Sequence, residues 1–384
     1  MLAESSSADR NLTKSCFASI RISQSEESTA FWKGGRSCTE NRKQDFSLAR
    51  LAFALPGVPG EIPTIRLLLA TDCSTSSGCP AGLTQKTAEI SNRFMLASGY
   101  DPASLGIQTD DIFVLSRDGV QIPVTLYSEY GSDGHSPCLL YFHGGGFCTK
   151  TSPQYERLMS EYAAGAHCRV IFVHYRTSDR HLYPIPFNDC VDVLSSIVQN
   201  PSRYGINPQR IILGGDSAGG CLASGAALWC RDHQIPIRMQ FLIYPMTDCR
   251  MQTKTDRKYW DAPLWNSPLS RRMWQIYLRK GIDEKHPGYA SIQLENDLSD
   301  LVPAYIEVQE YDSLRDDGTE YADRLKEAGI PVELTENAGS IHGFDVLFWT
   351  DLSRTAMKKR IAALRREFAI DFLPVIQGQS VLSV

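Results

Sequence analysis

The sequence is short of several features, and each gap removes a class of protein. No apolar run reaches the ~18 residues that a membrane-spanning helix needs. The first ten residues carry Glu4 and Asp9 and no apolar core, so a secretory signal is not expected. There is no block or stripe of Lys and Arg, and the net charge is −5, so nucleic acid is not an expected partner. The 11 cysteines form no C-x-x-C pair and no Cys/His cluster of zinc-finger spacing. Cys138, Cys168 and Cys221 lie in apolar runs and read as reduced, buried thiols. That usage favours a reducing, cytoplasmic setting. Internal repeats are not visible. The glycine-rich stretch at Gly144–Gly146 is followed by no Gly-Lys-Ser/Thr and opens no dinucleotide fingerprint, so a phosphate-binding loop is a poor reading.

What remains is an ordinary globular composition, 42% hydrophobic and 22% charged. Residues 1–80 stand apart. They hold Ser/Thr-rich stretches and the breaks Pro56-Gly57 and Pro59-Gly60. They read as an extension, disordered over Met1–Gln44, with short helices at Leu48–Leu55 and Ile65–Ala70 or a contribution to a cap. A helix is expected over Leu83–Ser98. Beyond it, strands and helices alternate through residues 81–384. Strands are expected at Asp111–Ser116, Ile122–Tyr130, Pro137–His143, Val170–Tyr175, Arg210–Gly215, Phe241–Tyr244, Ala304–Gln309 and Val332–Glu336. Helices are expected at Pro153–Ala166, Asn188–Val198, Ser217–Trp229, Gly318–Ala328 and Leu352–Phe368. Such alternation implies an α/β fold: a mostly parallel sheet with helices on both faces.

The alternation stops between Asp248 and Pro287. This insertion is rich in aromatics (Tyr259, Trp260, Trp265, Trp274, Tyr277) and reads as a helical cap. Trp260 and Trp265 are expected to line a pocket under it with Phe147 and Phe344, while at least half of the cap aromatics pack its own core.

Gly215-Asp216-Ser217-Ala218-Gly219 fits G-x-S-x-G, a sharp turn from strand to helix that lifts a serine above the sheet edge. A serine is a weak nucleophile and needs a base, which in turn needs an orienting acid. Asp312 and His342 follow Ser217 in the order that such elbows require, each in a loop after a strand. Asp316 and Asp317 sit near a helix start and read instead as cap or dipole residues. His174 and His181 precede Ser217 and break the order. The attack creates an oxyanion, which calls for donors already in place. His143-Gly144-Gly145-Gly146-Phe147 supplies a glycine loop after a strand, whose Gly144, Gly145 and Gly146 are expected to form the oxyanion hole, and the N–H of Ala218 adds a donor. His143 itself reads as a structural support of that loop. No metal or organic cofactor is needed.

With these four pieces in order, the chain resembles the hormone-sensitive lipase-like branch of the α/β-hydrolase superfamily, the carboxylesterase and arylacetamide deacetylase relatives. The motifs are HGGGF at 143–147, GDSAGG at 215–220, YDSLRDDG at 311–318 and IHGF at 341–344, with Tyr244-Pro245 and Pro287–Ala290 in support. The resemblance implies a triad of Ser217, Asp312 and His342. It implies Gly145, Gly146 and Ala218 as oxyanion donors, with Gly144 shaping the loop. It also implies a cap built from N-terminal helices and the 248–287 insertion. One departure is Thr177-Ser178-Asp179-Arg180-His181, where the family carries a Leu-Ala-Pro-Glu run. The expected activity is serine esterase, on short-to-medium acyl esters. The alternatives are a hydrolase of one acetylated metabolite, lactone, thioester or amide, and a non-catalytic binder on the same scaffold. The expected partner is a small-molecule ester, with a homodimer left open.

Overall fold

The computed structural model describes residues 101–369, Asp133 apart. The sequence expectations for residues 1–100 therefore lie outside the described residues. These are the extension, its short helices, the helix at 83–98 and the N-terminal share of the cap.

One eight-stranded sheet organises the rest, in the order β1-β2-β4-β3-β5-β6-β7-β8. Strands β1 (Ile107–Leu115) and β2 (Gln121–Glu129) form an antiparallel hairpin, and β2 also pairs antiparallel with β4 (Arg169–Val173). All other pairings are parallel: β3 (Ser136–Phe142), β5 (Ile206–Asp216), β6 (Met239–Ile243), β7 (Ala304–Gln309) and β8 (Val332–Asn337). The central strands read as continuous apolar runs because helices cover both faces. Cys138–Phe142 in β3 are all buried.

Helices α1 (Gln154–Ala166) and α7 (Asp351–Ala369) share one apolar layer with the sheet, including Tyr155, Met159, Tyr162, Leu364 and Phe368. Helices α2 (Ile185–Gln199), α3 (Ala218–Asp232) and α6 (Arg315–Glu327) pack on the other face. The insertion adds two short helices, α4 (Lys254–Lys258) and α5 (Ser267–Tyr277). Thr253 and Asp256 make a reciprocal capping box on α4, and Asn266 caps α5. Trp274, Tyr277 and Met273 of α5 join the core layer of α2 and α3.

Several boundaries move from the sequence reading. Strand β1 begins four residues before Asp111, because Gln108–Asp110 pair with β2 at a sheet edge where polar residues are tolerated. Strand β5 begins at Ile206, before Asn207-Pro208, which resemble a turn in sequence. Helix α2 takes in Ile185 and Pro186, since proline is accommodated in a first helical turn. Helix α6 begins at Arg315, so Asp316 and Asp317 form its first turn, as expected of dipole-facing acids. Among the described residues, no helix is long and apolar enough to cross a membrane, and no cluster of His, Cys, Asp and Glu is arranged to hold a metal ion.

Candidate active site

Strand β5 ends at Asp216 and helix α3 starts at Ala218, leaving Ser217 alone at the turn with φ 54° and ψ −120°. That strained conformation is held by the backbone around it. The Ser217 N–H donates to the Ile243 carbonyl at 2.9 Å, and the Ser217 carbonyl accepts from Gly220 and Met246, both at 3.0 Å. The elbow needs glycine at 219 because a Cβ there would overlap the Phe142 carbonyl of β3.

Ser217 Oγ lies 3.0 Å from His342 Nε2, and His342 Nδ1 lies 2.6 Å from Asp312 Oδ2. The carboxylate of Asp312 is fully buried and also accepts the Leu314 N–H at 2.9 Å. A carboxylate acceptor beside Nδ1 favours the tautomer with its proton there, which turns the Nε2 lone pair to the serine hydroxyl. The ring is flanked by Tyr244 at 4.7 Å and Trp265 at 5.6 Å between centroids.

Beside the serine runs the glycine loop. Gly145 and Gly146 both have positive φ, 98° and 59°. Among the described residues their N–H groups, and that of Ala218, meet no hydrogen-bond acceptor. Gly144 differs from the expectation that groups it with the donors. Its N–H is engaged by Tyr155 Oη at 2.8 Å and Asp216 Oδ1 at 3.1 Å, so Gly144 fixes the loop and has no donor left for a ligand. His143 is fully buried, stacked 4.1 Å from the Tyr175 ring, with Nδ1 2.8 Å from the Gly144 carbonyl. Burial pushes its pKa down to about 3, so it stays neutral. The segment that departs from the family pattern also braces the loop: Ser178 donates its N–H to the Phe147 carbonyl at 2.7 Å.

Two supports were not legible in the sequence. Asp216 accepts from Tyr155 Oη at 2.7 Å as well as from Gly144, tying elbow, helix α1 and glycine loop together. Burial raises its pKa to about 6, against the opposing bond from Tyr155. On the other side of His342, Tyr244 Oη donates to Asp345 Oδ1 at 2.9 Å. Asp345 is held by Arg360 at 2.6 Å, and the same guanidinium grips Glu307 with bonds of 2.8 and 2.6 Å. Nothing in local periodicity marks these residues. They meet only because β6, β7 and α7 converge.

The expected pocket aromatics divide. Trp265 is buried beside His342, with Nε1 bonded to Ser270 Oγ at 2.8 Å. Phe147 is 0% exposed and stacked 3.9 Å from Tyr277, so it is a core residue joining loop to cap. Phe344 is also buried, under the Arg360 guanidinium at 5.9 Å. Trp260 is 53% exposed, in the turn after α4, and no contact ties it to the triad among the described residues.

Comparison with known proteins agrees with this fold. The sequence model of one protein family, described as alpha/beta hydrolase fold, matches residues 139–346. The chain belongs to that family, in its hormone-sensitive lipase-like branch. This α/β hydrolase is 31% identical over 255 residues to carboxylesterase NlhH of Mycobacterium tuberculosis, spanning 65% of this chain and 80% of that relative. It is 31% identical over 238 residues to an ethyl acetate hydrolase of Pseudomonas putida, spanning 61% of this chain and 74% of the relative. Among solved structures, a bacterial heroin esterase superposes with a TM-score of 0.69 at 32% identity, covering 74% of this chain and 91% of the other. Esterase LipW of Mycobacterium marinum superposes with a TM-score of 0.70 at 28% identity, covering 76% and 91%.

Proposed function

We propose that this carboxylic ester hydrolase works through a serine acyl-enzyme. Ser217 is the nucleophile, His342 the base and then the acid, and Asp312 the group that holds the imidazole tautomer and stabilises its charged form. The observation that carries the reading is the unbroken chain from Ser217 Oγ to His342 Nε2 at 3.0 Å and from His342 Nδ1 to Asp312 at 2.6 Å. Attack on the ester carbonyl transfers the serine proton to Nε2. The negative oxygen that develops is met by the unengaged N–H groups of Gly145, Gly146 and Ala218. Collapse expels the alcohol, which takes the proton from His342. Water then repeats the sequence on the acyl-serine and releases the acid.

Short-to-medium acyl esters are the substrate class. The named substrate of the Pseudomonas putida relative, ethyl acetate, is an ester of that kind. The test is hydrolysis of p-nitrophenyl esters from acetate to laurate by wild type and Ser217→Ala, with a fluorophosphonate probe and mass spectrometry to find the labelled residue. Activity that declines with chain length, is lost in the variant and maps to Ser217 supports the mechanism. Label on another residue, or a Ser217→Ala enzyme as fast as wild type, refutes it.

A further inference from the structure

Taking the serine proton turns His342 into a cation where water has little access, because the residue is 7% exposed. A buried charge is costly unless something replaces its hydration. Asp312 does this at one atom, Nδ1, 2.6 Å away. Two aromatic rings stand beside the rest of the imidazole. The Trp265 indole has its centroid 5.6 Å away with 31° between the planes, and the Tyr244 ring lies 4.7 Å away at 60°. Both distances are inside the ~6 Å over which the electron-rich face of an aromatic ring attracts a cation.

Each ring is fixed before any reaction. Trp265 donates Nε1–H to the buried Ser270 hydroxyl at 2.8 Å and its backbone N–H to the Pro263 carbonyl at 2.8 Å. The outer edge of the indole also lies on the glycine loop, since a Cβ added to Gly146 would come 2.7 Å from Trp265 Cη2. Tyr244 is pinned at both ends, its N–H on the Glu307 carbonyl at 2.6 Å and its Oη on Asp345 at 2.9 Å. Neither ring can turn away from the imidazole without giving up a hydrogen bond. A neutral imidazole gains little from such neighbours and an imidazolium gains more, so the attraction grows as the proton arrives. An interaction that strengthens only in the transition state raises kcat without tightening the substrate. Of the two rings, indole is the better partner for a cation.

We propose that Trp265 is a positioning residue of the reaction: an indole carried by the insertion that holds the His342 imidazole in place and stabilises its charged form, with Tyr244 taking a lesser share. The proposal rests on the serine acyl-enzyme reading above. It makes the insertion a working part of the site and not only its cover. Acylation and deacylation both pass through the imidazolium, so loss of the indole slows both steps alike. The consequence is a lower kcat at an unchanged KM.

The experiment measures kcat and KM for p-nitrophenyl acetate on the full chain, with the tryptophan at position 265 replaced site-specifically by its mono-, di-, tri- and tetrafluoro analogues. Fluorine drains the π face and leaves the ring shape and its Nε1–H in place. The expected result is a stepwise fall in kcat with fluorine count, about tenfold by the tetrafluoro ring, at constant KM and melting temperature. Trp265→Phe, which keeps a smaller ring, retains more kcat than Trp265→Leu. The fluorinated series keeps the idea testable if the leucine variant misfolds. A flat series overturns the proposal. So does a Trp265→Leu enzyme whose loss is confined to KM, the mark of an indole that only lines the pocket. Ser217→Ala, run alongside, separates the two readings. Turnover that vanishes with Ser217 while the fluorine series stays flat leaves the serine mechanism standing and refutes the role of Trp265. Turnover that survives Ser217→Ala overturns both.

Discussion

Replacing Arg360 by methionine probes the network behind His342. The guanidinium is 1% exposed and makes three charge-assisted bonds, two to Glu307 and one to Asp345. Methionine matches much of the stem but leaves Glu307, whose side chain is 0% exposed, with no counter-charge. Breaking a buried pair from one side costs about 3–5 kcal/mol, because the remaining charge stays desolvated. That is a large share of the ~5–15 kcal/mol by which domains are usually stable. Tyr305 and Gln309 still donate to Glu307, at 3.4 and 3.0 Å, and soften the loss toward the lower figure. The stranded carboxyl should then prefer its protonated form. Its pKa in the folded variant rises above the unfolded value, so the deficit is largest at high pH and shrinks as pH falls through the raised pKa. Urea unfolding followed by tryptophan fluorescence, at pH 5.5 and pH 8, reads both effects. Adding Glu307→Gln and Asp345→Asn to Arg360→Met should recover part of the stability, since an apolar or neutral cluster avoids the desolvation that the single variant exposes. A loss below about 1 kcal/mol, or a triple variant no better than the single, would refute the reasoning that this guanidinium neutralises the buried Glu307 and the half-buried Asp345.

Other outcomes follow from the same structure. Asp216, raised from 3.8 to about 6 in the fold, binds its proton more tightly folded than unfolded, so stability falls as pH rises through 4 to 6. Asp216→Asn should flatten that slope, which amounts to about 3 kcal/mol, in thermal melts across the window. Asp312→Asn should lower kcat by about 10⁴-fold with little change in melting temperature, because the amide offers the imidazole the wrong hydrogen-bond pattern. Asp317→Ala should cost about 1–3 kcal/mol for each of the two N–H groups it leaves unpaired, Thr247 at 2.9 Å and Asp248 at 3.0 Å. Denaturant titration of that variant beside Asp317→Asn, which keeps one acceptor, checks it.

The triad candidates were readable because each lies in a short motif that follows a strand, and around Ser217 and His342 glycines announce a turn. The strands themselves were readable where they are buried on both faces: Ala304–Gln309 has the same bounds in sequence and structure. Reading failed where the physics is not local. The polar start of β1 is a strand because of its partner, not its own pattern. Gly144 looks in sequence like its two neighbours, and only the approach of Tyr155 and Asp216 distinguishes it. Trp260 and Trp265 are equivalent on composition, yet one is exposed and the other packs beside His342. Tyr244, Asp345 and Arg360 are far apart in the chain, and no single one of them is conspicuous.

The insertion has a feature that reaches beyond its own contacts. Its two ends meet. Ser291 Oγ donates to the Thr247 carbonyl at 2.8 Å and accepts from Cys249, and Gln293 donates its N–H to the same carbonyl at 3.3 Å. Thr247 is in turn anchored on Asp317 of α6. The chain therefore leaves the sheet and returns to it through one narrow neck. Lengthening the excursion adds only slowly to its closure entropy, because the neck already holds the two ends together. Between those ends the insertion is still tied to the body through Met273, Trp274 and Tyr277 in the core and Trp265 beside His342. A lid grafted between residues 248 and 291 therefore has to keep the neck and also rebuild that packing for the nucleophile, acid and base to keep their places.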